Sequence, residues 1–453
     1  MLPTQTVPDT LGRHVAETIR VALPLAAAQL AQMAMSVTDT VLLGGIGPEA
    51  LAAGGLGSML VFCVMLVLQG LLASVGVLVA QARGAGRPER IAEFYWTGIL
   101  LTLSLAAPTV LLLGHVESFL LAVSEPAALS HDVGQFVAVL RWCVPAGLFA
   151  IGLQRAFLPA IDAGWLILPV SLVATLVNGL ACYGFIHGAG GLPELGMNGA
   201  AIATVIVQTF VALTLLAATH GNARRRALTR WARPRLRALT AMLRLGVPIG
   251  GTVAVEAGLF FAVALLIGWL GPAPLAAQQV ALNLVSLAFM IPLGLAQAAN
   301  VRVAHRIGAG DHGGARLAGL VAIGLGAAVE FVLAAINVSA PERIVGLYLD
   351  SADADAFRIA VSLLGVAALF QIADGVQCVA SGALRGLGDA TIPFALATLG
   401  YWVIGIPAAW LLTFPAGLGA AGAWWGLAAG LTVTATLLTS RFLHRSRTAV
   451  ALA

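Results

Sequence analysis

Apolar residues run along this chain in about twelve blocks, each long enough to matter on its own and each separated from the next by a short polar break. The blocks fall near residues 20 to 45, 51 to 80, 94 to 114, 134 to 157, 165 to 187, 196 to 219, 244 to 269, 276 to 301, 315 to 337, 358 to 382, 391 to 413 and 420 to 440. A helix needs about 20 apolar residues to cross a hydrocarbon core. The alternating ten-residue pattern of a membrane barrel is absent, so helices are the predicted spanning elements.

Composition agrees with that pattern. Of 453 residues, 60% are hydrophobic and 10% charged, against roughly 25% charged in ordinary soluble domains. Nothing ahead of residue 20 reads as a cleavable leader, so the first block is expected to direct insertion itself and to be retained. Cys63, Cys143, Cys182 and Cys378 stand singly in apolar runs without CxxC spacing. They read as packing residues, not as metal ligands or a disulfide framework.

All 24 basic residues are arginine, and they collect in alternate breaks. Arg83, Arg87 and Arg90 follow the second block, "RRRALTRWARPRLR" the sixth, Arg302 and Arg306 the eighth, and Arg441, Arg445 and Arg447 the last. The intervening breaks hold Glu117, Glu125, Glu194, Asp350, Asp353 and Asp355, with Arg343 the main exception. By the positive-inside rule both termini and the linker face the cytoplasm. The net charge of +4 therefore reports orientation and argues against a nucleic-acid partner.

The two halves are related. An offset of 224 residues brings Pro24 onto Pro248, "GPEALAA" (47 to 53) onto "GPAPLAA" (271 to 277), "GAG" (84 to 86) onto "GAG" (308 to 310), and Pro169 onto Pro393. Six spans per half is an even number, so both halves enter the membrane in the same sense, a parallel repeat. The expected fold is all-α and membrane-integral: twelve transmembrane helices in two six-helix bundles around a central cleft. The expected divisions are a cytoplasmic segment at 1–19, a first lobe at 20–219, an arginine-rich linker at 220–243, a second lobe at 244–440 and a cytoplasmic tail at 441–453. That architecture suits a transporter. No filter or charged pore ring points to a channel, and no HExxH or GxSxG points to a membrane enzyme.

Four acids lie inside the blocks: Asp39, Glu256, Glu330 and Asp374. An ionisable group at such depth costs at least a few kcal/mol and marks an ion or substrate pathway by default. Glu256 and Asp374 sit near the middle of their spans, whereas Asp39 lies roughly 9 Å past the middle of the first. If Glu256 and Asp374 face each other, both cannot ionise cheaply, and the pair shares a proton or recruits a cation such as Na+. Gln278 and Asn283 are candidate neutral oxygen ligands. Asn178 and Gln32 are candidate partners for Asp39, the latter two turns earlier on roughly the same face. Glu330, near the end of its span and without polar helix-mates, reads as reaching the interface or an interhelical hydrogen bond. His305 reads as a loop residue, and Asp162 as a cap or loop contact.

Several strings resemble the multidrug and toxic compound extrusion (MATE) family, most closely its NorM-like branch. They are "SVTDTVLLGGIGPEALAA", "VAQARGAGRPERI", "LPELGMNGAAIAT", "LRLGVPIGGTVAVEAGLFFAVALLIGWLG", "AAQQVALNLVSLAFMIPLGLAQAANVRVAHRIGAG" and "QIADGVQCVASGALRGLGDATIP", covering nearly the whole chain in order. The resemblance implies a two-lobed antiporter, not an enzyme, that exports amphipathic, mostly cationic molecules by alternating access while Na+ or H+ runs inward. It implies that Glu256 and Asp374 bind the coupling ion and that Asp39, with Asn178, forms a first-lobe substrate or proton site. No cofactor beyond the coupling ion is implied. The expected setting is the bacterial cytoplasmic (inner) membrane, among lipids, as a monomer. Two departures bear on ion identity: Gln278 stands where the family often has histidine, and Phe370 where it often has tyrosine. The rival within transport is a lipid-linked precursor flippase, which would want cavity arginines; Arg141 is the single candidate read from the spans. The rival from another class is a membrane enzyme or scaffold.

Overall fold

The computed structural model describes residues 11–348 and 354–451, so Asp350 and Asp353 lie outside the described residues. Twelve helices among them are long and apolar enough to cross a membrane. They are α1 (Leu11–Ile46), α2 (Pro48–Gly84), α3 (Pro88–Leu113), α4 (Cys143–Ala160), α5 (Gly164–His187), α6 (Met197–His220), α7 (Leu236–Gly268), α8 (Pro272–Gly308), α9 (His312–Ser339), α10 (Asp355–Gly386), α11 (Thr391–Thr413) and α12 (Gly419–Thr448). Large side chains such as Leu112, Leu180 and Leu236 are more than two-thirds exposed. That distribution suits hydrocarbon surroundings, where outward leucine costs nothing.

The repeat appears as local geometry. α2 and α8 are each 37 residues long, and each opens on a Gly-Pro pair. Gly47 (φ 149°) and Gly271 (φ 115°) take a backbone conformation that side chains resist, and the following proline is preset for the first helical turn. Downstream, the Asp311 carboxylate accepts from the Gly314 amide and caps α9 at 2.8 Å.

One predicted span differs. The block at 134–157 is two helices, Ala127–Leu140 and α4, separated by a turn at Arg141 and Trp142. Pro145 supplies the reason, because its ring clashes with the carbonyl four residues back and removes a backbone donor. Beyond it, Leu148–Gln154 winds as a π-helix, as does Leu399–Gly405 within α11. His305, read as a loop residue, lies in the last turn of α8. The linker is shorter than expected, since α7 already begins at Leu236. Trp96 on α3 donates its indole N–H to the carbonyls of Thr229 and Arg230 there, both at 3.2 Å.

Packing divides the chain into two units: Ala28–Gly250, and the chain through Ala27 together with Gly251 onward. These boundaries differ from the sequence-based divisions at 20–219 and 244–440. Within the first unit, the opening turns of α7 rest on α2. A side chain at Gly246 would meet the Leu71 carbonyl at 2.4 Å, so only glycine lets the two backbones approach. In the other unit the opening turns of α1 rest on α8. Arg302 donates to the Glu17 carboxylate at 2.7 Å, to the His14 carbonyl at 3.0 Å and to the Thr18 hydroxyl. Here α10 is central, packed against α8, α9 and α12.

Candidate functional site

Polar residues recur along α10 at helical spacing: Gln371, Asp374, Gln377 and Ser381, all less than 5% exposed. Residues three and four apart share a helix face, so this is one buried polar stripe. Three other helices, α7, α9 and α11, bring groups to it. From α9, Asn337 donates to the Gln371 side-chain oxygen at 2.8 Å. From α7, Glu256 accepts from the Gln377 amide at 3.1 Å, and the same amide donates to the Tyr401 hydroxyl of α11.

Glu330 of α9 belongs to this cluster. It is 1% exposed, and its Cγ lies 2.5 Å from where a side chain at Gly375 would begin. Only a residue without Cβ at 375 admits that carboxyl against α10. The reading that sent Glu330 to the interface is therefore corrected, and its helix-mate Asn337 was overlooked. Gly375, against which Glu330 packs, and Gln377, which donates to Glu256, follow Asp374 by one and three residues on α10. Asp374 Oδ1 and Glu330 Oε2 are buried without a hydrogen-bond partner. Desolvated carboxylate oxygens of this kind are expensive unless a proton or cation joins them.

The other predicted ligands separate. Gln278 is buried, with its side-chain oxygen unpartnered. Asn283 is exposed and donates back to the Gln279 carbonyl of its own helix, away from the cluster. Phe370 packs edge-on against Trp424 at 5.3 Å, so it fills the core. The phenol it would have supplied comes instead from Tyr401. Among the described residues no three acid, histidine or cysteine side chains converge as a metal cluster. A cation here would need neutral oxygens such as those of Tyr401 and Gln377 to complete its shell.

The Ala28–Gly250 unit carries a different polar site. Asn178 of α5 donates to Asp39 Oδ1 at 2.5 Å, as expected of that pair. Cys182, one turn further along α5, is buried. Gln32 does not join them. Seven residues separate it from Asp39, about 10 Å along the axis, and its amide oxygen instead accepts from Arg155 at 2.7 Å. Arg155 of α4 corrects a second reading: Arg141, at the turn before α4, lies beside Trp142, whereas Arg155 reaches α1 between membrane-spanning helices. Asp162 makes the predicted loop contact, accepting from Arg83 at 2.9 Å.

Sequence spacing would have found Gln371 and Gln377, three residues either side of Asp374. Tyr401, Glu330 and Arg155 carry no such local signal, because each is brought in from another helix.

The MatE family model matches residues 24–183 and 248–411. The two matches begin at Pro24 and Pro248, the landmarks of the internal repeat. The chain is 52% identical over 442 residues to "Probable multidrug resistance protein NorM" of Burkholderia mallei (strain ATCC 23344), covering 97% of this chain and 94% of the relative. It is 50% identical over 451 residues to multidrug resistance protein NorM of Burkholderia vietnamiensis, covering 99% and 98%. Among solved structures, an outward-facing multidrug resistance MATE family transporter of the MOP superfamily superposes with a TM-score of 0.89 over 96% of both chains, at 18% identity. That last likeness is one of fold.

Proposed function

The chain belongs to the MatE family of multidrug efflux transporters, and on that premise we propose that it exports amphipathic cationic organic molecules across the bacterial cytoplasmic membrane against an inward flow of Na+ or H+. It is a transporter, not an enzyme. The observation that supports the coupling assignment is the placement of Glu256, Asp374 and Glu330 along one buried stripe, at Gln377, on α10 itself and at Gly375, with one oxygen each of Asp374 and Glu330 unpartnered.

Coupling requires that the ion interact differently with the two access states. Three acids in low dielectric repel one another unless a proton or cation is shared. Loading that site stabilises the arrangement in which they are gathered, and unloading favours one in which they part. Asp39 with Asn178 forms the other unit's site, where a cationic substrate or a proton is held. Both termini lie on the cytoplasmic side, where the arginine-rich breaks favour retention.

The test is efflux from proteoliposomes under an imposed Na+ gradient or an imposed pH gradient, for the parent and for Asp374→Asn. One gradient is expected to drive accumulation in the parent and to lose its effect in the variant. Equal transport by the parent with neither gradient overturns antiport.

A further inference from the structure

The segment between α6 and α7 carries more charge than orientation asks of it. Half of the fourteen residues of "RRRALTRWARPRLR" (224 to 237) are arginine, and between Glu194 and Glu256 the chain holds eight arginines and no acid. The break after α2 has three arginines, Arg83, Arg87 and Arg90, with Glu89 and Glu93 beside them. In the other arginine-bearing breaks the guanidinium groups meet carboxylates of the protein: Arg83 donates to Asp162, Arg302 to Glu17, Arg306 to Asp311 and Arg441 to Asp389. Here Arg224, Arg226, Arg230, Arg233, Arg235 and Arg237 are all exposed. Among the described residues the one ion pair of the segment is a long contact of Arg235 with Glu93, at 3.9 Å.

The same segment is pinned in place and partly apolar. Trp96 of α3 holds the carbonyls of Thr229 and Arg230, and its ring meets that of Trp231 edge-on at 4.7 Å. Trp231 and Leu236 nevertheless stay 69% and 78% exposed. Because α6 ends at His220 and α7 begins at Leu236, both ends of the segment are tied to spanning helices, and it lies where hydrocarbon gives way to headgroups. Tryptophan favours that level, and arginines beside it reach phosphates with two parallel N–H donors. We propose that this segment binds the anionic phospholipid headgroups of the cytoplasmic leaflet, with Arg230 and Arg233 as the phosphate contacts and Trp231 and Leu236 as the apolar anchor between and beside them. Charge complementarity names the occupant, since each arginine near an anionic leaflet adds attraction that salt weakens. A polynucleotide also attracts arginines, but it has no use for Leu236 and must be recruited from solution, whereas the bilayer is already at both ends of the segment. This role needs only the membrane placement of α6 and α7 and is separate from substrate and coupling ion.

The rival account is that these arginines serve only to keep the segment on its side of the membrane during insertion. To separate the two, the full chain in a neutral detergent is titrated with phosphatidylglycerol carrying a fluorophore on one acyl chain, and with phosphatidylcholine of the same chains and label. The parent is expected to bind the phosphatidylglycerol about tenfold more tightly at low salt, a preference that shrinks as salt is raised. Arg230→Gln with Arg233→Gln is expected to lower phosphatidylglycerol affinity by about tenfold and to leave phosphatidylcholine within about twofold. Arg445→Gln with Arg447→Gln, an exposed pair near the end of α12, removes the same charge elsewhere and is expected to leave both affinities within about twofold. Trp231→Ala leaves every charge in place, so its insertion is spared even where the double arginine variant inserts wrongly, and it is expected to weaken both lipids alike. A parent that binds the two lipids equally, an equal loss in the Arg445 and Arg447 variant, or unchanged binding in Trp231→Ala each overturns the proposal. Displacement of phosphatidylglycerol from the parent by a short RNA or by inorganic phosphate overturns it as well, and points to a ligand from solution.

Discussion

The chain keeps acid in both of its units, but on different terms. In one, Asp39 is hydrogen-bonded by the neutral Asn178, while Arg155 of α4 reaches Gln32, two turns earlier on α1. In the other, Glu256, Asp374 and Glu330 gather on α10, and two of their oxygens are left without a donor. A solitary, satisfied carboxylate attracts a cation without being forced to release it. Gathered carboxylates are in conflict until an ion joins them, and conflict of that kind is what a coupling site requires. Duplication thus supplied two scaffolds of one shape, and divergence gave them unlike electrostatics.

The sharpest way to break that comparison is to neutralise each site in turn. Asp374→Asn or Glu256→Gln is expected to lower gradient-driven efflux by about a hundredfold, close to 2.7 kcal/mol in the driven step, measured in proteoliposomes. Asp39→Asn is expected to cost about tenfold, the loss of one charge-centred interaction, with the ion still driving what transport remains. If Asp39→Asn abolishes ion dependence and Glu256→Gln spares it, the roles are reversed.

A smaller effect probes how Glu330 is held. Gly375→Ala puts a methyl group into the Glu330 side chain and is expected to destabilise the protein by about 1–3 kcal/mol, read as a lower unfolding midpoint in detergent. Shortening the acid in the double variant Gly375→Ala, Glu330→Ala is expected to recover that midpoint without restoring coupling. Recovery of both removes Glu330 from the ion site. The smallest expected effect is at Asn283, whose amide turns to its own helix: Asn283→Ala is expected to leave ion-driven efflux within about twofold, and a larger loss places it back among the ligands.

Much of this was legible along the chain. Twelve apolar blocks, the 224-residue repeat and the buried acids needed only composition and spacing, because a bilayer forces each span to be long, apolar and internally hydrogen-bonded. Gln371 and Gln377 were readable in principle, being on the same face as Asp374. Glu330 is not legible from span depth, because its place depends on Gly375 opening the facing helix. Gln32 shares a face with Asp39, but about 10 Å of helix separates them, and its partner is Arg155. The break at Arg141 was hidden in a run that hydropathy treats as continuous, and Pro145 was its available signal.

By itself, then, the sequence determined that this chain crosses the membrane twelve times, that its halves descend from one unit, and that only a few of its charges lie within the spans. These are one-dimensional properties, set by length, polarity and period. Which helices meet was decided in three dimensions: glycines at 375 and 246 let Glu330 rest against α10 and α7 against α2, and Arg302 holds the opening turns of α1 against α8. Partners brought from distant helices leave no spacing in the chain, so Tyr401 beside Gln377 and Arg155 beside Gln32 became visible only in three dimensions.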